Sequence, residues 1–218
     1  YDPRLVGKAM PRGEVCLRGP NIMMGYYKQE EETAKVIDDD GWLHTGDIGQ
    51  WNADGSLTIL DRKNNIFRIK DGDYVSVEAV EEVVLRSRFV SQCWVYGSPF
   101  HSSLVAVLVP DKEAVTEFCE SNGIEGDFAT MCGNGKVYKA MKADIEAAAL
   151  AERLPPHEVP KAFHLEINVN SMGQAFTVEN ECLTPSFKLR RQQLLKKYQA
   201  QVDALLVDGV LFSVSGRV

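Results

Sequence analysis

The sequence predicts an α+β fold in two parts, and three observations carry that prediction. The first sixty residues hold strand and turn signals with little helical periodicity. Beyond Arg62 the order becomes helix, strands, helices, strand, helix, which suits helices packed on a small sheet. The 218 residues suffice for one large domain or two small ones, hold no internal repeat, and change character near Arg62, where the boundary is placed.

In the first part, Gly13-Glu-Val-Cys-Leu-Arg-Gly alternates around Val15 and Leu17 as a half-buried strand would. Residues 28–40 carry six acidic positions and are expected to form a short helix and a solvated loop. Trp51 through Leu60 reads as a hairpin, with Asp54-Gly55 favouring the positive φ of a type I′ turn. In the second part, Ser76 can cap a helix whose apolar positions Val77, Val80, Val83 and Val84 recur at helical spacing, with Leu85 at their margin. Cys93-Trp-Val-Tyr and Leu104 to Val109 are two apolar strands joined through Gly97-Ser-Pro99. A short helix is expected after Pro110-Asp111, and a longer one from Lys136 to Arg153, stopped by Pro155-Pro156. Phe163 to Val169 is expected as a third strand. Phe187, Leu194, Tyr198, Val202 and Leu205 are placed on one face of a final helix. Residues 207–218 stay open between a docked strand and a frayed tail.

Composition excludes several function classes. Apolar residues at 44% and charged residues at 25% argue against disorder and low-complexity sequence. No apolar run approaches a membrane span and the first residues form no signal peptide, so a soluble, intracellular chain is expected. The net charge of −7 argues against general nucleic-acid binding. Cys16, Cys93, Cys119, Cys132 and Cys182 are odd in number and widely spaced, and the four histidines lack metal-ligand spacing; neither disulfides nor a metal site is expected.

Gly41-Trp-Leu-His-Thr-Gly-Asp47-Ile-Gly sets a carboxylate between glycines. It can accept hydrogen bonds from two vicinal ribose hydroxyls or satisfy its own loop as an Asx-turn, and spacing alone favours the second. In Asp61-Arg62-Lys63-Asn64-Asn65, Arg62 offers a planar fork to phosphate or ribose oxygens, or a surface pair with Asp61 worth about 0–1 kcal/mol. Five basic residues and no acid lie between Lys188 and Lys197. A solvated face, a contact with anionic lipid or nucleic acid, and a Lys188 that reaches a phosphate as a point charge all fit; pattern alone favours the first. Gly133-Asn-Gly-Lys136 lacks the first glycine and the Ser/Thr of a phosphate loop and reads as a turn and helix start.

Taken in order, three segments closely resemble successive motifs of the AMP-forming acyl-CoA synthetases. They are Gly13-Glu-Val-Cys-Leu-Arg-Gly-Pro-Asn-Ile-Met-Met-Gly-Tyr-Tyr, Gly41-Trp-Leu-His-Thr-Gly-Asp-Ile-Gly, and Asp61-Arg-Lys-Asn-Asn followed by Gly72-Asp-Tyr-Val-Ser. With Leu183-Thr-Pro-Ser-Phe-Lys-Leu-Arg-Arg, the set is similar to the long-chain fatty acid branch and covers about residues 11–205. The resemblance implies activation of a fatty acid by ATP to an acyl-adenylate and pyrophosphate, then transfer of the acyl group to coenzyme A. Asp47 would hold the ribose hydroxyls, Ile59 would lie beside the nucleotide, and Arg62 would contact its ribose and phosphate side. Lys188 would stabilise charge developing on the α-phosphate. Lys63 and Asn64 would form the hinge, with asparagine suited to the pivot. Arg68 and Gly72 would line the coenzyme A channel.

The same resemblance implies an organisation. Residues 1–61 would be the β-rich end of a large N-terminal domain, 62–64 the hinge, 65–206 a small α+β C-terminal lid domain, and 207–218 a tail without assigned role. The family's phosphate loop, acyl tunnel and magnesium-binding glutamate have no counterpart here. The chain is therefore expected to be the C-terminal portion of a longer synthetase and inactive alone, with Mg2+ held mainly by the missing N-terminal part. The fatty acid, ATP, coenzyme A and that N-terminal domain are its expected partners, and nucleic acid is not. The parent is expected in the cytoplasm or on the cytosolic face of an organelle membrane, with peripheral membrane contact left open. Phe176-Thr-Val-Glu-Asn-Glu-Cys182 departs from the family's tryptophan and glycine. A rival reading, a non-catalytic interaction module derived from the lid domain, needs none of Asp47, Arg62 and Lys188.

Overall fold

Residues 12–63, 66–68, 74–98, 100–101, 103–206 and 212–215 are described by the structure, a computed structural model. The chain divides into two units, Tyr1–Phe67 and Arg68–Val218. In the first, β1 (Arg12–Leu17), β2 (Leu43–Trp51) and β3 (Leu57–Arg62) form an antiparallel sheet with β2 in the centre. The acidic stretch holds the expected short helix, α1 (Glu30–Val36).

Two details of this sheet differ from the expectation. Val15 packs over Gly49, where an added Cβ would lie 2.9 Å from Val15 Cγ2 and 3.0 Å from Leu57 Cδ1. Leu17, by contrast, is exposed, because the register irregularity between Glu14 and Cys16 breaks the simple two-residue alternation. The hairpin forms, but not through a type I′ turn. Gly55 has φ +84 and Asp54 is not left-handed. The Gly55 N–H donates to the Asn52 carbonyl at 3.0 Å, and the Asp54 carboxylate accepts from the Ser56 N–H at 2.9 Å. These bonds hold a four-residue turn with one left-handed glycine, the three-residue-loop geometry in place of the two-residue one.

β4 (Ile66–Arg68) and β5 (Tyr74–Ser76) are three-residue strands. The second unit is built on a mixed sheet, β6 (Val90–Tyr96), β7 (Val105–Pro110), β8 (Ala162–Leu165) and β9 (Phe212–Val214), in that order. β6 and β7 run antiparallel, whereas β7–β8 and β8–β9 are parallel. Every residue of β7 is buried, which is why it reads as an unbroken apolar run. Within the tail, Phe212–Val214 is a docked strand, paired in parallel with β8. β8 is shorter than expected and ends at Leu165.

Helices cover both faces of this sheet. On one, Trp94, Val105, Val107 and Val109 pack with Leu194, Tyr198, Val202 and Leu205 of α6 (Arg191–Leu206). On the other, Val84 of α2 (Val77–Val84) and Ile145 of α5 (Gly135–Ala151) lie against Ala106, Leu108 and Phe163. Helix starts are legible as side-chain caps: Ser76 accepts from the Ala79 N–H, Asp111 from Ala114 at the head of α3 (Lys112–Ser121), and Asn134 from Lys136. Asn134 confirms the helix start read at Gly133–Lys136. A five-residue helix that the pattern did not announce, α4 (Phe128–Cys132), is capped by Asp127. Phe187 is a correction. It lies outside α6, exposed, with φ +59. All five cysteines are free. Among the described residues no helix is long and apolar enough to cross a membrane.

Candidate functional site

The first cluster is set by the geometry of β2. Gly46 has φ +73, and its carbonyl accepts the Lys63 N–H at 2.6 Å. The Thr45 hydroxyl donates to the Val15 carbonyl at 2.8 Å and accepts the Asp47 N–H at 3.1 Å. One step further, the β2–β3 register slips between Ile48 and Gly49, so that Leu60 is an extra residue in β3. A bulge of this kind re-aims the side chains beside it. The outcome is that Asp47 and Arg62 are partners across the two strands, with Arg62 Nε 3.0 Å from Asp47 Oδ1. Arg62 Nη1 also donates to the Thr45 carbonyl at 3.2 Å. Asp47 is thus a strand residue facing an arginine rather than the closure of its own loop. The Arg62 side chain keeps 65% of its surface in solvent and the Asp47 side chain 29%, so both retain capacity for a ligand. Ile59 stands on the same strand as Arg62 with 52% of its surface exposed, an apolar face that a flat ring could cover.

Lys63 is tied down within this unit: its Nζ is 2.9 Å from Glu14 Oε2. Glu14 opens a cluster that sequence spacing did not reveal. His44 Nδ1 lies 3.3 Å from Glu14 Oε2 and 3.5 Å from Cys16 Sγ, and its Nε2 lies 3.2 Å from Asp38 Oδ2. Asp38 and Glu14 raise the His44 pKa above its usual value. The Lys63 ammonium, and secondarily His44, lower that of Glu14. The Trp42 N–H is the main influence lowering Asp38. Glu14, Cys16 and His44 place three donor atoms within 4.8 Å of one another, near enough for one ion, but Lys63 already supplies the cation. The pairing of strands β1 and β2 makes this cluster, with Cys16 opposite His44, and no linear motif signals it.

The second cluster surrounds Lys188, whose side chain is exposed. Its backbone is held at both ends of the peptide: the Lys188 N–H donates to Thr184 Oγ1 at 3.1 Å, and the Thr184 N–H donates to the Lys188 carbonyl at 2.8 Å. Leu183 bridges Leu189, and the Arg190 N–H donates to the Cys182 carbonyl at 2.8 Å. The segment is a fastened turn and not a loose lead-in to the helix. Three residues on, Arg191 makes a two-pronged pair with Glu81 of α2, both contacts at 2.8 Å. Glu81 is 5% exposed and also accepts the Val95 N–H at 2.8 Å. Burial raises its pKa, against the opposing pull of Arg191. The basic run is therefore not all solvated. The missed signal is Glu81 itself, a carboxylate four residues after Val77 on the helix's apolar face.

Asn64 and Gly72 lie outside the described residues, and for Arg68 only the strand is described.

No protein-family model matches the chain. Long chain acyl-CoA synthetase 2 of Arabidopsis thaliana is 43% identical over 197 residues, 90% of this chain and 29% of the relative. Long chain acyl-CoA synthetase 6, peroxisomal, of the same plant is 45% identical over 192 residues, 88% of this chain and 26% of the relative. The chain corresponds to part of a long-chain acyl-CoA synthetase. It spans 26–29% of the length of these two relatives. Among solved structures, this chain is similar to the A-PCP didomain of carboxylic acid reductase from Segniliparus rugosus, a structure in complex with AMP. The TM-score is 0.75 at 31% identity, over 93% of this chain and 26% of that one.

Proposed function

We propose that this chain is the C-terminal region of a long-chain acyl-CoA synthetase, holding the ribose side of ATP with its first unit and supplying a catalytic lysine from its second. The observation that carries the reading is the Asp47–Arg62 pair at 3.0 Å, partly in solvent, which joins two of the motifs that resemble the family. An ionised carboxylate accepts from two vicinal hydroxyls, and the adjacent guanidinium fork binds ribose or phosphate oxygens. Ile59 offers the apolar contact beside them. Lys188 carries its charge on an exposed stem above a fixed backbone, which suits a group that meets charge developing on the α-phosphate. Lys63 and Asn64 form the hinge, and Arg68 and Gly72 line the way for coenzyme A, so that one unit serves adenylation and thioester formation in turn. The boundaries are 1–61, 62–64 and 65–206.

Mg2+ belongs to the family's chemistry, but the one three-donor cluster among the described residues does not fit it. The three-donor cluster Glu14–Cys16–His44 presents sulfur and imidazole, whereas Mg2+ takes oxygen ligands. The chain alone is expected not to complete the reaction.

The test is Lys188→Ala in the full-length synthetase carrying this sequence. Acyl-adenylate formation should fall about a hundredfold or more, while thioester formation from supplied acyl-adenylate stays within about twofold. An equal loss in both half-reactions would remove the role given to Lys188.

A further inference from the structure

Arg191 is the first residue of α6, yet a cation at a helix N-terminus opposes the helix dipole. Its position there is not explained by helix stability. Nor is it explained by docking of the helix, because Leu194, Tyr198, Val202 and Leu205 already bury one face of α6 in the core. A buried ion pair of this kind adds little net stability over an apolar pair of similar volume. What the pair does supply is direction. Two parallel 2.8 Å bonds to one carboxylate fix the guanidinium plane, and the carboxylate is itself fixed by the Val95 N–H.

We propose that Arg191, locked onto the buried Glu81, is a positioning residue that sets where Lys188 stands. Between the two residues the chain has no slack. Thr184 holds the peptide of Lys188 on both sides, Leu183 bridges Leu189, and Cys182 holds the N–H of Arg190. The turn has one anchor in the segment before it and one in Glu81, on a different helix 110 residues away in sequence. A shift of Arg191 must therefore be passed to Lys188. This inference rests on the reading of Lys188 given above.

The experiment compares three changes in the full-length synthetase carrying this sequence. Arg191→Lys keeps the charge and removes the fork. The double variant Glu81→Gln with Arg191→Met removes the ion pair, keeps an acceptor for Val95 and keeps an apolar stem. Lys188→Ala is the reference. Both Arg191 variants should melt within a few degrees of the parent, lower kcat of ATP–pyrophosphate exchange about tenfold to a hundredfold, and leave the ATP KM and the thioester half-reaction within about twofold. In a Lys188→Ala background, Arg191→Lys should cost nothing more, because it acts through the lysine.

Unchanged exchange in both Arg191 variants would overturn the proposal, as would parallel loss of both half-reactions, or an additive loss on top of Lys188→Ala. If Lys188→Ala itself spares adenylation, the reading of Lys188 fails and this inference falls with it. If Lys188→Ala abolishes adenylation while the Arg191 variants do not lower it, only the positioning role fails.

Discussion

Asp47 and Arg62 face each other across adjacent antiparallel strands, 3.0 Å apart, because a bulge at Leu60 brings them into register. The pair is half exposed, so by itself it is worth about 0–1 kcal/mol to stability. That small stake separates a structural role from a binding one. In the full-length synthetase, Asp47→Asn and Arg62→Lys should leave the melting temperature nearly unchanged. Each should raise the ATP KM about tenfold to a hundredfold, since hydrogen bonds to charged groups contribute about 1.5–3 kcal/mol. Steady-state kinetics with a melting curve check this. A melting shift with normal KM would make the pair architectural.

Phe187 holds a left-handed backbone, φ +59, with its ring 77% exposed, immediately before Lys188. A residue with a Cβ in that region costs on the order of 1 kcal/mol, and the exposed ring returns little packing. Phe187→Gly should therefore be neutral to stabilising by about 1 kcal/mol, the gain being offset by the freedom glycine adds to the unfolded chain. Phe187→Val, β-branched in the same conformation, should destabilise by about 1–2 kcal/mol. Thermal melts of the three proteins order them Gly at or above Phe, then Val. A valine variant as stable as the parent would show that the turn relaxes.

The elements that could be read in the sequence are those whose signal is local. Ser76 ahead of Val77, Val80 and Val84 marks a cap and an apolar face, and both stand in the structure. The unbroken run before Pro110 is the buried central strand. Phe187 misled because its spacing to Leu194 and Tyr198 fits a helix face, while the bonds from Thr184 that end the turn carry no periodicity. Asp54 misled because its carboxylate binds Ser56 and keeps its own backbone out of the left-handed region. The site partners were invisible for a different reason. Asp47 meets Arg62 only once a bulge has set the register, and Arg191 meets Glu81 only through tertiary packing.

The two units should respond to pH in opposite directions. His44 has its pKa raised above 6.5 by Asp38 and Glu14, so the folded state holds its proton more tightly than the unfolded one. That contribution is complete below 6.5 and is lost as pH rises through the folded value. His164 is buried, with Nδ1 2.8 Å from Ser213 Oγ, and burial lowers its pKa below 6.5. Its contribution is present above 6.5 and is lost as pH falls through the folded value. Hydrogen exchange followed unit by unit should show the first unit loosening above pH 6.5 and the second below it. His44→Gln should flatten only the first response. A response of both units in the same direction would contradict these shifts.

Gln92 carries the last prediction, because one side chain of β6 closes three backbone bonds of a distant loop. Its Oε1 accepts from the Ala175 and Phe176 N–H groups at 2.9 Å each, and its Nε2 donates to the Phe176 carbonyl at 2.8 Å. Ala175 and Phe176 are buried, so water cannot replace these partners without opening the loop. Gln92→Leu keeps the volume and strands all three groups; a loss of about 3 kcal/mol is expected, since each unpaired buried group costs about 1–3 kcal/mol and the loop relaxes in part. Gln92→Glu separates the bonds by pH. Its carboxylate still accepts both N–H groups but meets the Phe176 carbonyl as an acceptor, whereas the protonated acid donates to it as the amide did. The folded state should therefore hold that proton more tightly than the unfolded state, and the variant should recover stability relative to the parent as pH falls through the raised value. Denaturant melts at pH 7.5 and at mildly acid pH measure the difference. A Gln92→Glu variant that weakens relative to the parent on acidification would mean that the two N–H groups favour the carboxylate more than the Phe176 carbonyl disfavours it.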